Sequence, residues 1–298
     1  MDLSIITVTW NCEKFIAEQI LSVQNGCQNI SFEQIIVDNG SVDNTVALVH
    51  QMNRVTCIVN RVNAGFAAAN NQGAKIAKGE FLLFLNPDTR VMPGSLDIIV
   101  QWMREHQDVG LASCKLVDET GNLNFAAQPR RFPGLADQLA LILKIPHLFP
   151  GVLNRYLFKD FNPDKEQEVD SVRGSFMLLR REIYDRLGWA FDPRYFIWFE
   201  DVDLCREVKR LGLKVVYTPV ITAVDYVGQS FKQRATFWKQ RQFTRSMLSY
   251  FKKWEPRYKS ALIALARPVG VAMAWFYDKL SLVSSPRTRG SRTSDYVA

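Results

Sequence analysis

Cysteine and histidine are scarce in this 298-residue chain. The five cysteines, at 12, 27, 57, 114 and 205, form no CxxC pair, and none of the three histidines joins them in a short-spaced cluster. An odd count without close spacing argues against a disulfide framework or a zinc centre and suits a reducing compartment. Internal repeats and low-complexity tracts are lacking too, which argues against solenoid and disordered architectures. Long apolar runs are also missing. The one stretch that raises the question of a membrane span, Ala261 to Val283, is interrupted by Arg267, Pro268, Asp278 and Lys279. Its longest uncharged piece, Pro268 to Tyr277, is far short of the roughly 20 residues a span needs. An interfacial helix is therefore expected there. No charged leader, apolar segment and small-residue cleavage site precedes the first strand candidate, so a cytoplasmic protein is expected.

What is present fits a globular protein. Hydrophobic residues make up 47% and charged residues 22%, and the length allows one large α/β domain with an appendage. The net charge of +7 is unevenly placed. Residues 232–298 carry 14 Lys or Arg against 3 Asp or Glu, whereas residues 1–231 carry 23 against 27. The basic end can meet anionic lipid, nucleic acid or an acidic partner, or simply face water.

The first 90 residues alternate β-branched apolar runs with amphipathic stretches, the form of a parallel α/β sheet. Strands are expected at Leu3 to Val8, Gln34 to Val37, Thr56 to Val59 and Phe81 to Leu85, with helices at Cys12 to Gln24, Val42 to Met52, Ala67 to Ala77 and Gly94 to His106. Ser41 and Asp43 are placed to cap the second helix. Residues 121–170, punctuated by Pro129, Pro133, Pro146, Pro150 and Pro163, read as loops and short helices. A strand follows at Val172 to Arg180, then helices at Arg181 to Leu187 and Val202 to Leu211, the latter closed by Gly212. A short strand, Lys214 to Tyr217, ends at Pro219.

Polar residues at the carboxyl ends of these strands carry the chemistry, because ligands of open α/β sheets bind there. Phe84-Leu85-Asn86-Pro87-Asp88 presents a carboxylate just past a strand, where Mg²⁺ or Mn²⁺ can bridge protein and phosphate oxygens; alone, Asn-Pro-Asp reads as an ordinary turn. Ile35 to Ser41 delivers Asp38 to the next strand end, within reach of a base or ribose. Thr9-Trp10-Asn11 supplies an aromatic for stacking and polar groups for orientation, or a buried Trp and a helix cap. Asn60 to Asn70 combines Gly65, small residues and Asn63, or is a Gly turn before a helix. Glu200-Asp201-x-Asp203 clusters acids at a helix start, where the helix dipole favours them in any case; like charges so grouped also raise proton affinity.

Taken in order, Val-Thr-Trp-Asn, Val-Asp-Asn-Gly-Ser, Asn-Ala-Gly-Phe-Ala-Ala-Ala-Asn, Leu-Asn-Pro-Asp-Thr, Arg173 to Arg181 and Phe199 to Cys205 resemble family 2 of the glycosyltransferases, especially its rhamnosyltransferase-like members. The resemblance covers roughly residues 2–230. It implies a nucleotide-diphosphosugar-binding, Rossmann-like α/β domain of GT-A type, with a mostly parallel sheet flanked by helices. Residues 1–230 would form it, with 1–120 taking the donor and 121–230 the acceptor. Residues 231–298 would be a basic, amphipathic helical tail with about the last 12 disordered. The resemblance puts Thr9, Trp10, Asn11, Asp38, Asn63, Gly65, Phe66, Asn70 and Asn86 beside the donor, and Arg173, Gly174 and Trp198 beside the acceptor. It makes Asp88 a ligand of Mg²⁺ or Mn²⁺ and Asp201 the general base, with Glu200 and Asp203 tuning or positioning it. A His is common in similar enzymes where this chain has Asp225, in Thr222 to Ser230; an Asp can also ligate such a cation.

The activity implied is inverting transfer of a sugar from a nucleotide-diphosphosugar, with dTDP-rhamnose leading and UDP- or GDP-sugars open. The acceptor would be a saccharide or lipid-linked saccharide in cell-surface polysaccharide or O-antigen assembly, reached from the inner face of the cytoplasmic membrane by peripheral contact. Two rival readings are a catalytically weakened nucleotide-sugar-binding protein and a nucleic-acid binder using the basic end. The second lacks a recognisable module, and no nucleic-acid partner is expected.

Overall fold

The computed structural model of the chain describes residues 1–226 and 235–283. Four parallel strands, β1 (Leu3–Thr9), β2 (Phe32–Asp38), β3 (Val55–Val59) and β4 (Phe81–Leu85), lie in the order β3-β2-β1-β4. Helices α1 (Ile16–Gly26), α2 (Thr45–His50) and α3 (Phe66–Ile76) connect them. In β4 every residue is buried: Leu82 and Phe84 enter one core cluster, while Phe81, Leu83 and Leu85 enter the other. Successive strand side chains point to opposite faces, so a strand covered on both sides is apolar throughout.

The chain continues through β5 (Thr89–Val91), α4 (Ser95–Glu105), β6 (Val109–Val117), α5 (Leu135–Ile142), β7 (Gln167–Glu168), β8 (Phe176–Arg180), α6 (Arg181–Leu187), α7 (Glu200–Arg210), β9 (Lys214–Asp225), α8 (Thr236–Trp254) and α9 (Arg257–Val283). These strands extend the sheet as β4-β8-β6-β9-β5, with β7 on β9. β8 is antiparallel to β4 and β6, β5 and β7 are antiparallel to β9, and β6 runs parallel to β9. Six of the nine strands therefore share one direction, as expected of a mostly parallel α/β sheet.

Three strands, β5, β6 and the two-residue β7, were not expected; Gly110, Ser113 and Lys115 break the apolar run of β6. β9 does not stop at Pro219. Its register against β6 slips between Cys114 and Lys115, pairing them with Thr218 and Thr222, and Pro219 sits within that irregularity. A bulge tolerates a residue without an N–H, so the strand runs on to Asp225.

Strand direction decides where the chemistry gathers. β1, β2, β4 and β9 end at one edge of the sheet, at Thr9, Asp38, Leu85 and Asp225. Antiparallel β8 begins there, Phe176 opposite Leu85, which brings the preceding Arg173-Gly174-Ser175 to the same edge.

The C-terminal helices are not an appendage. Met247, Tyr250 and Phe251 of α8 and Ile263 of α9 are fully buried in the cluster that holds Ile6 and Phe84. The boundary expected between 230 and 231 lies outside the described residues, as does the segment expected to be disordered, but α8 beyond that boundary packs into the same hydrophobic core as the sheet. α9 is continuous through Pro268, contrary to the interruptions read from its charges. Those charges turn inward: Arg267 Nε donates to Thr244 Oγ1 at 3.3 Å, and Asp278 Oδ2 accepts from Phe237 N at 2.7 Å. Gly270 lies against the Ile142 carbonyl, where a Cβ would come within 2.6 Å. Tyr258, Leu262, Leu265, Val269, Met273, Phe276 and Leu280, at helical spacing, are left exposed on the outer face. Residues Arg257–Leu280 are, by length and composition, long and apolar enough to cross a membrane.

Candidate active site

The first wall of the site is a hydrogen-bonded loop bundle past β1 and β2. Thr9 and Asp38 are register partners, and Thr9 Oγ1 donates to Asp38 Oδ1 at 3.0 Å. Asp38 also accepts from Ser41 Oγ (2.5 Å), Ser41 N (2.9 Å) and Gly40 N (3.1 Å). These four bonds fill a carboxylate's acceptor positions. Asp38, fully buried, thus shapes the loop, and the direct bond to a base or ribose expected from sequence is not available in this conformation. Asn11, at φ 52°, accepts from Val42 N at 2.9 Å through Oδ1 and donates its backbone N–H to Ser41 Oγ at 2.9 Å, so it ties the two strand ends together. It does not cap α1, which starts at Ile16 after Phe15.

Asn39, quoted in the sequence motif but not singled out, holds the next loop. Its Nδ2 donates to Asn63 Oδ1 (3.1 Å) and the Gly65 carbonyl (3.2 Å), and its Oδ1 accepts from Ala64 N (2.9 Å). Gly65 has φ 94°, and a Cβ there would sit 2.6 Å from the Phe196 carbonyl, which accepts from Phe66 N at 2.7 Å. Only glycine permits that approach. Gly174 in turn faces the Phe66 ring, its built Cβ 3.8 Å away. Gly65, Phe66 and Gly174 therefore lie together. Asn70 does not: it is buried and donates to the Phe66 carbonyl at 3.0 Å inside α3.

The Asn86-Pro87-Asp88 turn is pinned from two sides. Asn86 N donates to the Ser175 carbonyl at 3.1 Å, and Tyr226 N donates to the Asp88 carbonyl at 3.0 Å. β5 and β9 pair with Thr89 opposite Asp225, so Asp88 and Asp225, both buried and far apart in sequence, lie at neighbouring strand ends. No group of three or more His, Cys, Asp or Glu side chains suited to a metal occurs among the described residues. Two carboxylates still fit Mg²⁺ or Mn²⁺, which commonly take one or two from protein and fill other positions with substrate phosphate. Of the motif around Asp225, residues 227–230 lie outside the described part.

α7 carries the acids. It is entered through Trp198 (φ 65°) and Phe199 (φ 69°), two consecutive non-glycine residues in the left-handed region, a strained arrangement that packing must hold. Trp198 packs on Trp238 and Phe243 of α8, with ring centroids 6.1 and 6.0 Å away. Asp201 is buried, and its Oδ1 accepts from Val202 N at 2.8 Å. Burial, and then the charge of Asp201, push the Glu200 carboxyl well above the usual carboxylate range, with Arg173 opposing. Glu200 Oε2 is buried without a partner. Arg173 links the acids to the Asn86 turn, because Ser175 two residues on holds Asn86.

Asp203 does not join them. Two residues of helix rotate it by about 200° from Asp201. It accepts instead from Lys253 Nζ (2.7 Å), Trp254 Nε1 (2.6 Å) and Tyr195 Oη (3.1 Å). The structure places it not beside Asp201 but between α7 and α8, where it anchors one helix to the other. Sequence reasoning also missed Arg130, whose electrostatic neighbours include Arg173 and Asp201. Its signal was the basic pair Arg130-Arg131 between Pro129 and Pro133.

Residues 4–188 match the protein family described as Glycosyl transferase family 2. The chain belongs to that family. The matched stretch holds the loops past β1 and β2, Asp88 and Arg173; Asp201 and Asp225 follow it. Among curated relatives, the chain is 28% identical over 165 residues to the rhamnosyltransferase WbbL of Escherichia coli (strain K12), covering 54% of this chain and 59% of that protein. It is 25% identical over 251 residues to the N-acetylglucosaminyl-diphospho-decaprenol L-rhamnosyltransferase of Mycobacterium tuberculosis, covering 76% and 77%. The chain spans 18% to 59% of the length of three other alignments' curated partners, WbbL included. Among solved structures, the mannosyltransferase PcManGT of Pyrobaculum calidifontis, in complex with GDP-Man and Mn²⁺, superposes with a TM-score of 0.56 at 16% identity, over 96% of this chain and 76% of that one. The fold of this family 2 member is accordingly of GT-A type, as its sequence led one to expect.

Proposed function

We propose that the protein transfers a sugar from a nucleotide-diphosphosugar to a saccharide acceptor with inversion at the anomeric carbon. The observation that carries this reading is that the strand ends bearing Asp88 and Asp225 lie at the same sheet edge that presents Arg173 to the acids of α7. Asp88 and Asp225 would hold a Mg²⁺ or Mn²⁺, which when bound offsets charge on the leaving diphosphate. Asp201 takes the proton of the acceptor hydroxyl as that oxygen attacks. The environment of Glu200 disfavours its charged form, and with it a second negative charge beside the attacking oxygen. The loop bundle of Thr9, Trp10, Asn11, Asn63, Gly65 and Phe66 shapes the donor side, with Asp38 acting through the loop, and Asn86 holds the Asp88 turn. Arg173, Gly174 and Trp198 face the acceptor.

The names of the two relatives favour a rhamnosyl donor, with dTDP-rhamnose leading, and cell-surface polysaccharide or O-antigen assembly as the setting. The Mycobacterium tuberculosis relative, by its name, acts on a diphosphate-linked decaprenol. A lipid-linked acceptor suits this chain as well. The exposed apolar stripe of α9 is joined, through the Gly270 contact to Ile142, by exposed Leu143, Leu148 and Phe149, and the basic C-terminal end is complementary to anionic lipid. Peripheral contact with an anionic membrane face is therefore part of the reading.

Sugar transfer measured with dTDP-rhamnose, UDP-sugars and GDP-sugars, with and without Mn²⁺, tests it. Asp201→Asn should lower kcat by about 10²- to 10⁴-fold while Mn²⁺-dependent nucleotide binding stays within a few-fold of wild type. Nucleotide binding without turnover of any donor in the wild type would instead favour a non-catalytic nucleotide-sugar binder.

A further inference from the structure

Arg130 and Arg173 are brought to one place by the short antiparallel bridge between Arg130 and Ser171. Arg130 N donates to the Ser171 carbonyl at 3.0 Å, Ser171 N donates back at 3.1 Å, and Ser171 Oγ caps the same Arg130 carbonyl at 3.0 Å. Neither guanidinium makes an ion pair among the described residues, although Asp201 stands near Arg130 and Glu200 near Arg173. Arg130 Nε is buried without a hydrogen-bond partner, and the guanidinium stacks only over the Tyr156 ring, 5.7 Å from its centroid. Burial, and then Arg173, lower Arg130 to about 10, so it remains a cation at neutral pH. Two like charges brought together beside a buried, unsatisfied donor call for an anion, and the planar fork of arginine matches phosphate oxygens two at a time.

We propose that Arg130 and Arg173 form a diphosphate-binding site on the acceptor side of Asp201, taking the phosphates of a diphosphate-linked lipid. This rests on the glycosyl-transfer reading and names the chemistry of its acceptor. The side is set by connectivity. Arg131 N bonds to the Tyr156 carbonyl at 3.1 Å, and the Arg131 guanidinium lies 3.6 Å over the Phe158 ring. The segment then leads into α5, whose end meets α9 at Gly270 beside the exposed apolar residues. The donor loops and the Asp88–Asp225 pair belong to other strand ends. A lipid seated on the α9 face would thus have its diphosphate directed toward the arginines and its first sugar toward Asp201.

The test is calorimetric binding of geranyl diphosphate, geranyl monophosphate and geraniol to the full chain in EDTA, with UDP and dTDP plus Mn²⁺ as a second arm on the same preparations. Wild type should bind geranyl diphosphate saturably, the monophosphate more weakly and geraniol least. Arg130→Gln and Arg173→Gln should each weaken geranyl diphosphate binding by about tenfold or more and leave nucleoside diphosphate binding unchanged. Arg130→Lys and Arg173→Lys, which keep the charge, cover the case of a Gln variant that melts early and should weaken binding less. Loss of nucleoside diphosphate binding with geranyl diphosphate unaffected would move the pair to the donor and overturn the inference. So would unchanged binding in all four variants, or a wild type that treats geraniol and its diphosphate alike. If the wild type binds no nucleoside diphosphate, it is the glycosyl-transfer reading that fails, and the geranyl arm is still read on its own.

Discussion

Lys253 Nζ lies 2.7 Å from Asp203 Oδ2, and the same ammonium reaches Glu207 Oε1 at 2.8 Å and Asp192 Oδ2 at 2.9 Å. All four side chains are at least largely buried, Asp203 completely. Burial works against the charge of Lys253, but its bonds to Asp203, Glu207 and Asp192 outweigh this and hold it above its ordinary value. One residue of α8 therefore neutralises acids of α7 and of the loop before it, and the helix that presents Asp201 is set by the C-terminal part of the chain.

Lys253→Met should destabilise the protein by about 3–5 kcal/mol, because removing one partner leaves buried acids uncompensated. Urea denaturation at pH 7 measures it. Lys253→Arg should recover part of the loss. Asp203→Asn should also lower stability yet retain far more kcat than Asp201→Asn. A Lys253→Met protein as stable as wild type would show that α8 does not anchor α7. For the same reason a chain ending near residue 230 should fail to fold, since it lacks Met247, Tyr250 and Phe251 as well.

Glu200→Gln should stabilise the protein at pH 7 to 8. The folded carboxyl is raised above its ordinary 4.5, by burial first and Asp201 second, with Asp203 also raising it and Arg173 opposing. A raised group contributes stability that is full below the unfolded value and is lost as pH rises toward the folded one. Glutamine, always neutral, does not incur that loss. The urea midpoint of the variant should therefore exceed that of wild type at pH 7 to 8, and the two should converge below about pH 4.5. Because burial and Asp201 already disfavour the charged form of Glu200, kcat should change by only a few-fold; a parallel offset at every pH would contradict the assignment.

Gly65→Ala tests the close approach of two loops. The methyl would meet the Phe196 carbonyl at 2.6 Å, and φ 94° is unfavourable for any side chain. A destabilisation of about 1–3 kcal/mol is expected, with a raised KM for the donor, because Phe66 and the loop leading to Asp201 must part. Unchanged donor KM together with unchanged stability would mean the loops separate freely.

Much of this was legible in the residues. Apolar, β-branched runs marked β1 to β4, because strands buried on both faces have no polar positions to blur the signal. The polar residues just past them were correctly placed at one edge. β5 and β6 were not legible: three residues are too few for a pattern, and Gly110, Ser113 and Lys115 interrupt the other. Asp201 and Asp203 looked equivalent in sequence, and only helical rotation and the Lys253 contact separate them. Asp38 read as a ligand because its type suits one, while its own loop was what it bonded. Arg130 came to Arg173 through a single bridge between segments, a pairing that no local pattern encodes.

The last expectation concerns α9. Linear reading counted Arg267 and Asp278 as breaks in an apolar segment, but both point toward α8, so the outward face keeps its apolar stripe. Apolar area set into a lipid interface is worth roughly 25 cal/mol per Å², and each Lys or Arg near an anionic surface about 1 kcal/mol. The full chain should float with vesicles containing phosphatidylglycerol and much less with neutral phosphatidylcholine, and high salt should weaken the attachment. Leu265→Glu combined with Phe276→Glu, both on the exposed stripe, should leave the protein at the bottom of the gradient. Leu21→Glu, an exposed apolar site on α1, should float like wild type. Equal flotation of the double variant would mean that the stripe does not meet lipid, and the charge of the C-terminal end alone would then have to account for any binding.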